Sequence, residues 1–246
     1  MSALEEAKKA AFPPGQYVAQ ESFVSADEIL WLARTAGLDS SSRVLDMCCG
    51  IGGPALHIVE NTGCRLVGVD REETSIGEAR RRAKERDLVV QFEVAEAPPA
   101  WDRKFDAVLL VETVLAFRDK RSLVRAVWEL LENGGSFLLT LEEGDPLSPE
   151  EARLMPRSDT VWLASLGDFI ALLNECGFAI RGWNEFTTAH QKIASSLADE
   201  YQRNSHKIAE EIGRSNLSSL LESHRLWSAW MEKGRVRKYG IVATKD

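Results

Sequence analysis

The sequence predicts an α/β protein built on a doubly wound sheet of mostly parallel strands, and three observations predict it. Short apolar runs alternate with helix-length amphipathic runs from Arg43 to Leu141, and strands separated by helices of that length pair in parallel. A glycine turn, Gly50-Ile51-Gly52-Gly53, stands between the first strand and the helix after it. Asp70 closes the second strand, 20 residues beyond Gly50.

In order along the chain, residues 1–24 hold a short polar helix, the breaker Phe12-Pro13-Pro14-Gly15 and the stretch Gln16–Phe23. Ser25, with Glu28 three positions on, has the form of a capping box for a helix ending at Gly37. Arg43–Met47 is an apolar strand and Gly53–Asn61 a helix; Arg65–Val69 is a strand and Thr74–Arg86 a helix. Val89–Val94 and Phe105–Val111 read as strands, Lys120–Leu131 as an amphipathic helix stopped by Asn133-Gly134-Gly135, and Ser136–Leu141 as the next strand. After Glu142 a polar connection with Pro146, Pro149 and Pro156 leads to a helix at Leu166–Cys176 and a strand at Phe178–Glu185. Thr187–Lys233 is helical for most of its length, and Arg237–Ala243 is a final strand. A helical segment that long is too large for an ordinary connection and reads as a cap. The expected organisation is therefore an N-terminal lid and helix over 1–42, a core over 43–186 and 235–246, and a cap insertion over 187–234.

Composition bounds the function. The chain has 246 residues, 44% hydrophobic and 28% charged, which suits one globular domain with elaborations. Its net charge of −8 repels phosphate backbones, so no nucleic-acid partner is expected. The basic run Arg80–Arg82, Lys84 and Arg86 is interleaved with Glu78, Glu85 and Asp87 and reads as a solvated helix face, as does the smaller run from Lys233 to Lys238. No stretch approaches about 18 apolar residues and the start of the chain lacks an apolar signal core. A cytoplasmic protein without membrane contact, monomeric or homodimeric, is expected. Cys48, Cys49, Cys64 and Cys176 have no tetrahedral metal spacing, and Cys48 and Cys49 read as small buried filler.

The chemistry sits in Val44-Leu45-Asp46-Met47-Cys48-Cys49-Gly50-Ile51-Gly52-Gly53. A glycine turn there lets a ligand approach the backbone and presents helix N-terminal amides. Asp70 is placed to accept ribose hydroxyls. A nicotinamide-dependent oxidoreductase would share these features but would favour a full G-x-G-x-x-G. Asp46, just before the turn, is badly placed for pyrophosphate and well placed for a cation. S-adenosylmethionine carries a sulfonium and an ammonium and no phosphate.

With these segments the chain resembles the class I S-adenosylmethionine-dependent methyltransferases, nearest to bacterial small-molecule enzymes of the sarcosine/glycine and sugar O-methyltransferase type. The resemblance covers about residues 15–185 and the closing strand. It runs through Gly68-Val69-Asp70, Phe92-Glu93-Val94-Ala95-Glu96-Ala97, Phe105–Thr113 and Leu130–Phe137. It implies a Rossmann-like seven-stranded sheet whose last strand is antiparallel. It further implies that Asp46 with the Gly50 and Gly52 backbone holds the methionine end, Asp70 the ribose, and Arg71, Glu96 and Ala97 the adenine. Val111 and Glu112 would line the methionyl side, and Tyr17 and Gln20 would belong to an N-terminal lid. Two departures stand out. Cys48 replaces the family's first glycine, which the sequence tolerates if the turn needs no positive φ there. Leu115 and Ala116 occupy a stretch where related O-methyltransferases often carry a histidine base.

Methyl transfer from a sulfonium needs alignment and exclusion of water above all, and a base only for an acceptor that must lose a proton early. His190, after the sixth strand, is the candidate base. Glu142, at the sheet's carboxyl edge, and His224 with Trp227, on one stripe of the cap, are candidate contacts for a small-molecule acceptor. Core packing is the competing reading of that stripe. A methyltransferase-fold protein that binds S-adenosylmethionine but promotes cyclisation is the alternative function, and a macromolecular acceptor a third reading.

Overall fold

A computed structural model of the chain describes residues 2–156 and 161–246; Met1 and residues 157–160, part of the connection expected after Glu142, lie outside the described residues. Seven strands form one sheet in the order β3-β2-β1-β4-β5-β7-β6. They are β1 Arg43–Met47, β2 Arg65–Asp70, β3 Gln91–Val94, β4 Phe105–Leu110, β5 Leu131–Glu143, β6 Phe178–Glu185 and β7 Arg237–Lys245. β3, β2, β1, β4 and β5 run parallel. β7 slots between β5 and β6, antiparallel to both. The chain order reverses between β1, which starts the β1-β2-β3 half, and β4, so the carboxyl ends of these two strands open the crevice where such sheets bind ligands.

The helices cover both faces. α1 is Ala3–Ala11, α2 Ala26–Thr35, α3 Gly53–Thr62, α4 Glu73–Glu85 and α5 Lys120–Leu130; α6 is Pro149–Leu154 and α7 Leu166–Glu175. α2, α3 and α4 bury Ile29, Leu32, Leu56, Ile58 and Ile76 against one face. α5 and α7 bury Val124, Val127, Phe169 and Leu173 against the other. The capping box at α2 is present: Ser25 Oγ accepts from the Glu28 amide, and the Glu28 carboxylate accepts from the Ser25 amide at 2.7 Å. β5 begins five residues earlier than the glycine pair suggests, at Leu131. The chain passes Asn133-Gly134-Gly135 as an irregularity in the β4–β5 ladder, where Phe105 pairs with Leu131 but Ala107 with Ser136. α6 was not anticipated; Pro149 serves it as a first-turn residue behind its own capping box at Ser148.

The helical run after β6 is broken twice, at Asn204 and at Gly213 (φ 86°), into α8 Thr187–Arg203, α9 Ser205–Ile212 and α10 Arg214–Glu232. α1 packs on α8 and α9, and its first amides, from Ala3 and Leu4, donate to the Glu211 carboxylate of α9. The N-terminal segment is thus divided: α1 with Phe12 and Phe23 joins the apolar cluster of the cap, and α2 joins the sheet. Among the described residues no helix is long and apolar enough to cross a membrane.

Candidate active site

The turn after β1 shapes a cavity of about 530 Å³ at the carboxyl ends of β1, β2 and β4. Two glycines serve different purposes. Gly52 has φ 79° and faces inward, where a Cβ would lie 2.9 Å from the Phe92 ring. Gly53 opens α3, and a Cβ on it would lie 2.5 Å from the backbone of Val18 and Ala19. The segment before α2 therefore rests directly on the helix N-terminus. Cys48 adopts φ 57°, so the turn does need a left-handed residue at the position of the missing glycine. The expectation of an unstrained cysteine is overturned, because the chain must reverse within the turn whatever its side chain. Cys48 lines the cavity and burial, with Asp70 and Asp46 nearby, pushes its thiol up to about 12, which leaves it inert. Cys49 is buried, as expected of filler.

The cavity wall is anionic. Glu21, Asp46, Asp70, Glu72, Glu96 and Glu112 line it, against Arg71 as its cation among the described residues. Asp46 is 3% exposed and its Oδ2 has no hydrogen-bond partner. Burial, then the Asp70 charge, pushes its carboxyl up to about 8. Asp70 Oδ2 accepts from the Gly50 amide at 2.9 Å and its Oδ1 from the Glu72 amide at 3.0 Å, which locks the turn to the end of β2. Ala97 and Val111 complete the wall.

Residues 16–24 form a strap over this cavity. Gln20 is buried and spends its whole amide inside the strap. Its Oε1 accepts from the Val18 amide at 2.6 Å, and its Nε2 donates to the Gln16 and Val24 carbonyls at 3.0 and 2.8 Å. Glu21 and Ser22 reach both the first cavity and a second one, of about 470 Å³, beneath the cap. Phe12, Phe23, Leu197, Tyr201 and Trp227 give that second cavity aromatic and aliphatic walls, and His224 lies among them. The His224 Nδ1 stands 2.6 Å from the Leu220 carbonyl.

Glu112 lines both cavities. Its backbone is left-handed, φ 55°, and its amide donates to Thr140 Oγ1. Such a conformation in a non-glycine residue is held by its surroundings, at a cost of about 1–3 kcal/mol. The surroundings are a buried charge cluster. Lys238 Nζ donates to Glu112 Oε2 at 2.9 Å and to Glu142 Oε1 at 3.0 Å, Glu142 and Lys238 being directly opposed across β5 and β7. The ammonium lies 5.4 Å from the Phe23 ring centroid and 5.1 Å from that of Trp227. His190 Nε2 is 3.0 Å from Glu28 Oε2, and its Nδ1 is 3.7 Å from Glu112 Oε1. Burial alone would raise the Glu112 carboxyl, but Lys238, then His190, outweigh it and hold the group below the ordinary carboxylate value. Burial raises Glu142 further than Lys238 lowers it. Burial would lower Lys238, but its two carboxylates raise it.

Several sequence expectations change here. Asp46, Gly50, Asp70, Arg71, Glu96, Ala97, Val111 and Glu112 do converge on the first cavity. Gly52 faces Phe92 instead. Tyr17 lines neither cavity; its ring packs on Phe12, 5.5 Å away. His190, the candidate base, lines neither: α8 starts at Thr187, and its first turn points the imidazole, fully buried, at Glu28 of α2 and at Glu112 beyond β4. Glu142 also stays behind the wall, because its strand position faces Lys238. His224 and Trp227 do line the second cavity. Lys238, read as part of a solvated basic run, is 2% exposed. The signal that could have found it was its two-residue spacing from Gly240 and Val242 in an apolar strand, which puts the lysine on the row of that buried valine.

Residues 44–135 match the family model described as a methyltransferase domain, and the sheet with its antiparallel seventh strand has the fold of solved methyltransferases. Among curated relatives, a phosphoethanolamine N-methyltransferase of Triticum aestivum is 25% identical over 214 residues, which are 85% of this chain and 42% of that protein. The chain thus spans less than half the length of that relative. Among solved structures, phosphoethanolamine N-methyltransferase 2 of Haemonchus contortus in complex with S-adenosyl-L-methionine superposes with a TM-score of 0.81 at 20% identity, over 98% of this chain and 56% of that one. The [4+2]-cyclase SpnF superposes with a TM-score of 0.76 at 19% identity, over 99% of this chain and 92% of that one.

Proposed function

We propose that the protein binds S-adenosylmethionine in the anionic cavity and transfers its methyl group to a small organic acceptor in the cavity beneath the cap, in the cytoplasm. The observation that carries this reading is the adjacency of the two cavities, which share Glu21, Ser22, Glu112, Thr113 and Ala116. A displacement at carbon needs donor and acceptor in line across one boundary, with water kept out.

The residues fit the donor. A wall of six carboxylates and one arginine suits a ligand with two positive charges and opposes a dinucleotide. The unpartnered Asp46 Oδ2 calls for a buried hydrogen-bond donor, which an α-ammonium supplies. In this reading Asp46 and Val111 meet the methionyl end, Asp70 the ribose, and Arg71, Glu96 and Ala97 the adenine. When bound, S-adenosylmethionine supplies an activated methyl on a good leaving group. The protein supplies position: the strap seals the cavity, and residues 187–234 act as the cap that encloses the acceptor.

Calorimetry with S-adenosylhomocysteine tests the donor site, and methyl release from radiolabelled S-adenosylmethionine tests the reaction. A ligand present at 100 times its Kd should stabilise the protein by about 2.7 kcal/mol. No stabilisation at millimolar S-adenosylhomocysteine would overturn the whole reading. Binding without methyl transfer to any acceptor would leave the donor site and favour a non-methylating reaction such as cyclisation.

A further inference from the structure

We propose that the second cavity takes a phosphate-free amine on an apolar, ring-sized body, and that Glu112 is the carboxylate that holds the amine nitrogen at the boundary between the two cavities. The proposal rests on the methyltransferase reading above and narrows its acceptor. Three observations carry it.

The first is the balance of charge in the wall. The lysines that line the second cavity among its described residues are Lys8 and Lys238. Lys8 pairs with Glu21 at 3.4 Å, and Lys238 is held between Glu112 and Glu142. Both cations are already paired with carboxylates, and an anion on the acceptor would face Glu21 and Glu112 across a low-dielectric space.

The second is the inventory of unsatisfied atoms. Among the described residues, the buried side-chain atoms around Glu112 without a hydrogen-bond partner are Glu112 Oε1, Glu142 Oε2 and His190 Nδ1. The two carboxylate oxygens can only accept from an incoming group, and Lys238 has already taken the neighbouring Oε1 of Glu142 and Oε2 of Glu112. A ligand that completes the cluster must bring a donor, and Glu112 is the member of the three that reaches the cavities.

The third is the surface around that carboxylate. Phe12, Phe23, Tyr201 and Trp227 line the cavity, and the Lys238 ammonium already lies within 5.4 Å of the Phe23 and Trp227 centroids. Rings presented in this way favour a cationic nitrogen on an apolar frame, and about 470 Å³ is within the range of small-molecule sites.

The chemistry agrees with the placement. The bound ammonium first gives one proton to water, and the lone pair so freed forms the N–C bond while the methyl's bond to sulfur breaks and leaves its pair on sulfur. Positive charge thereby moves from the first cavity to the nitrogen, and the methylated product leaves as an ammonium. Glu112, kept ionised by Lys238, is a fixed negative charge that borders both positions, and such preorganised charge needs no rearrangement during the step.

The test uses the whole chain saturated with S-adenosylhomocysteine, whose own binding is first measured alone, so that failure of the donor site is seen separately. Tryptamine and phenethylamine are then titrated, with phosphoethanolamine and phosphocholine as the charged comparison, by Trp fluorescence and thermal shift. The expected result is saturable binding of the aromatic amines and none of the phosphorylated ones. Glu112→Gln should weaken amine binding at least tenfold, and more than it weakens S-adenosylhomocysteine. Binding of a phosphorylated amine as tight as that of the aromatic ones, absence of amine binding to the loaded protein, or equal loss of both ligands in Glu112→Gln would each overturn the proposal.

Discussion

Asp46→Asn should make the ligand-free protein more stable and the donor site weaker, two effects of opposite sign from one atom's change of charge. Asp46 is buried beside Asp70, and its carboxyl sits near pH 8 instead of its ordinary 3.8. A group whose folded pKa is raised lends stability that is complete below the unfolded value and is lost as pH rises through the folded one. From 3.8 up to pH 7 that loss reaches about 4 kcal/mol at 1.36 kcal/mol per unit. An effective interior dielectric well above the dry-protein limit brings this to about 2 kcal/mol. Asparagine cannot ionise, so the variant should melt about 4–8 °C higher at pH 7 for a chain of this size. Its melting temperature should also fall less steeply than the wild type's between pH 5 and 8. The same change removes the charged partner of an α-ammonium, worth about 1.5–3 kcal/mol, or about 10- to 150-fold in S-adenosylhomocysteine affinity. In the wild type at pH 7, ligand binding should release most of one proton, read as a dependence of the calorimetric enthalpy on buffer ionisation. A ligand-free variant that melts lower than the wild type, or that binds S-adenosylhomocysteine equally well, would refute this reasoning.

Cys48→Gly should raise stability by about 0.5–1 kcal/mol in urea titrations, since Cys48 holds φ 57° and loses a Cβ clash that glycine lacks; a decrease would contradict the strain argument. Gly53→Ala places a Cβ 2.5 Å from the Val18 and Ala19 backbone, so it should displace the strap and weaken S-adenosylhomocysteine about tenfold with an unchanged circular dichroism spectrum. Lys238→Met leaves Glu112 and Glu142 buried without their cation and should destabilise by about 3–5 kcal/mol, with Glu142→Gln on that background restoring part of it. The Glu112 carboxyl is held low, so its contribution is present above the ordinary carboxylate range and lost as pH falls through the lowered value. The Lys238→Met variant should therefore show a shallower acid limb in its stability profile.

Local signals made most of the sheet and most of the lining of the first cavity readable. β1, the turn and α3 follow from five apolar-rich residues, a glycine cluster and Pro54. Asp46 and Asp70 were legible because each ends or precedes a turn beside a strand. What escaped depends on contacts distant in sequence. His190 was placed at the right junction, but the direction of its ring is fixed by Glu28 and Glu112, 162 residues away in the first case. Lys238 stood in a basic run whose other members are solvated, and only the pairing of β7 with β5 turns it inward. Tyr17 was assigned to an N-terminal lid as a cofactor contact, yet the strap's conformation is set by Gln20, which leaves Tyr17 on Phe12. The breaks in the cap at Asn204 and Gly213 were hidden by polar residues that a continuous helix would also carry.

The position of β7 has a consequence for synthesis. It lies between β5 and β6 in space but follows β6 in sequence by the length of the three cap helices. A nascent chain that has emerged through β6 lacks that strand, so β5 is an edge, β6 has no partner in the sheet, and two acids, Glu112 and Glu142, await a counter-ion. At translation speeds of about 5–20 residues per second the missing strand arrives some seconds later. A strand that covered those acids without a cation would leave them buried and unpaired, at a cost of several kcal/mol, whereas the native strand brings Lys238 opposite Glu142. The buried pair thus favours the native register of the last strand over a slipped one.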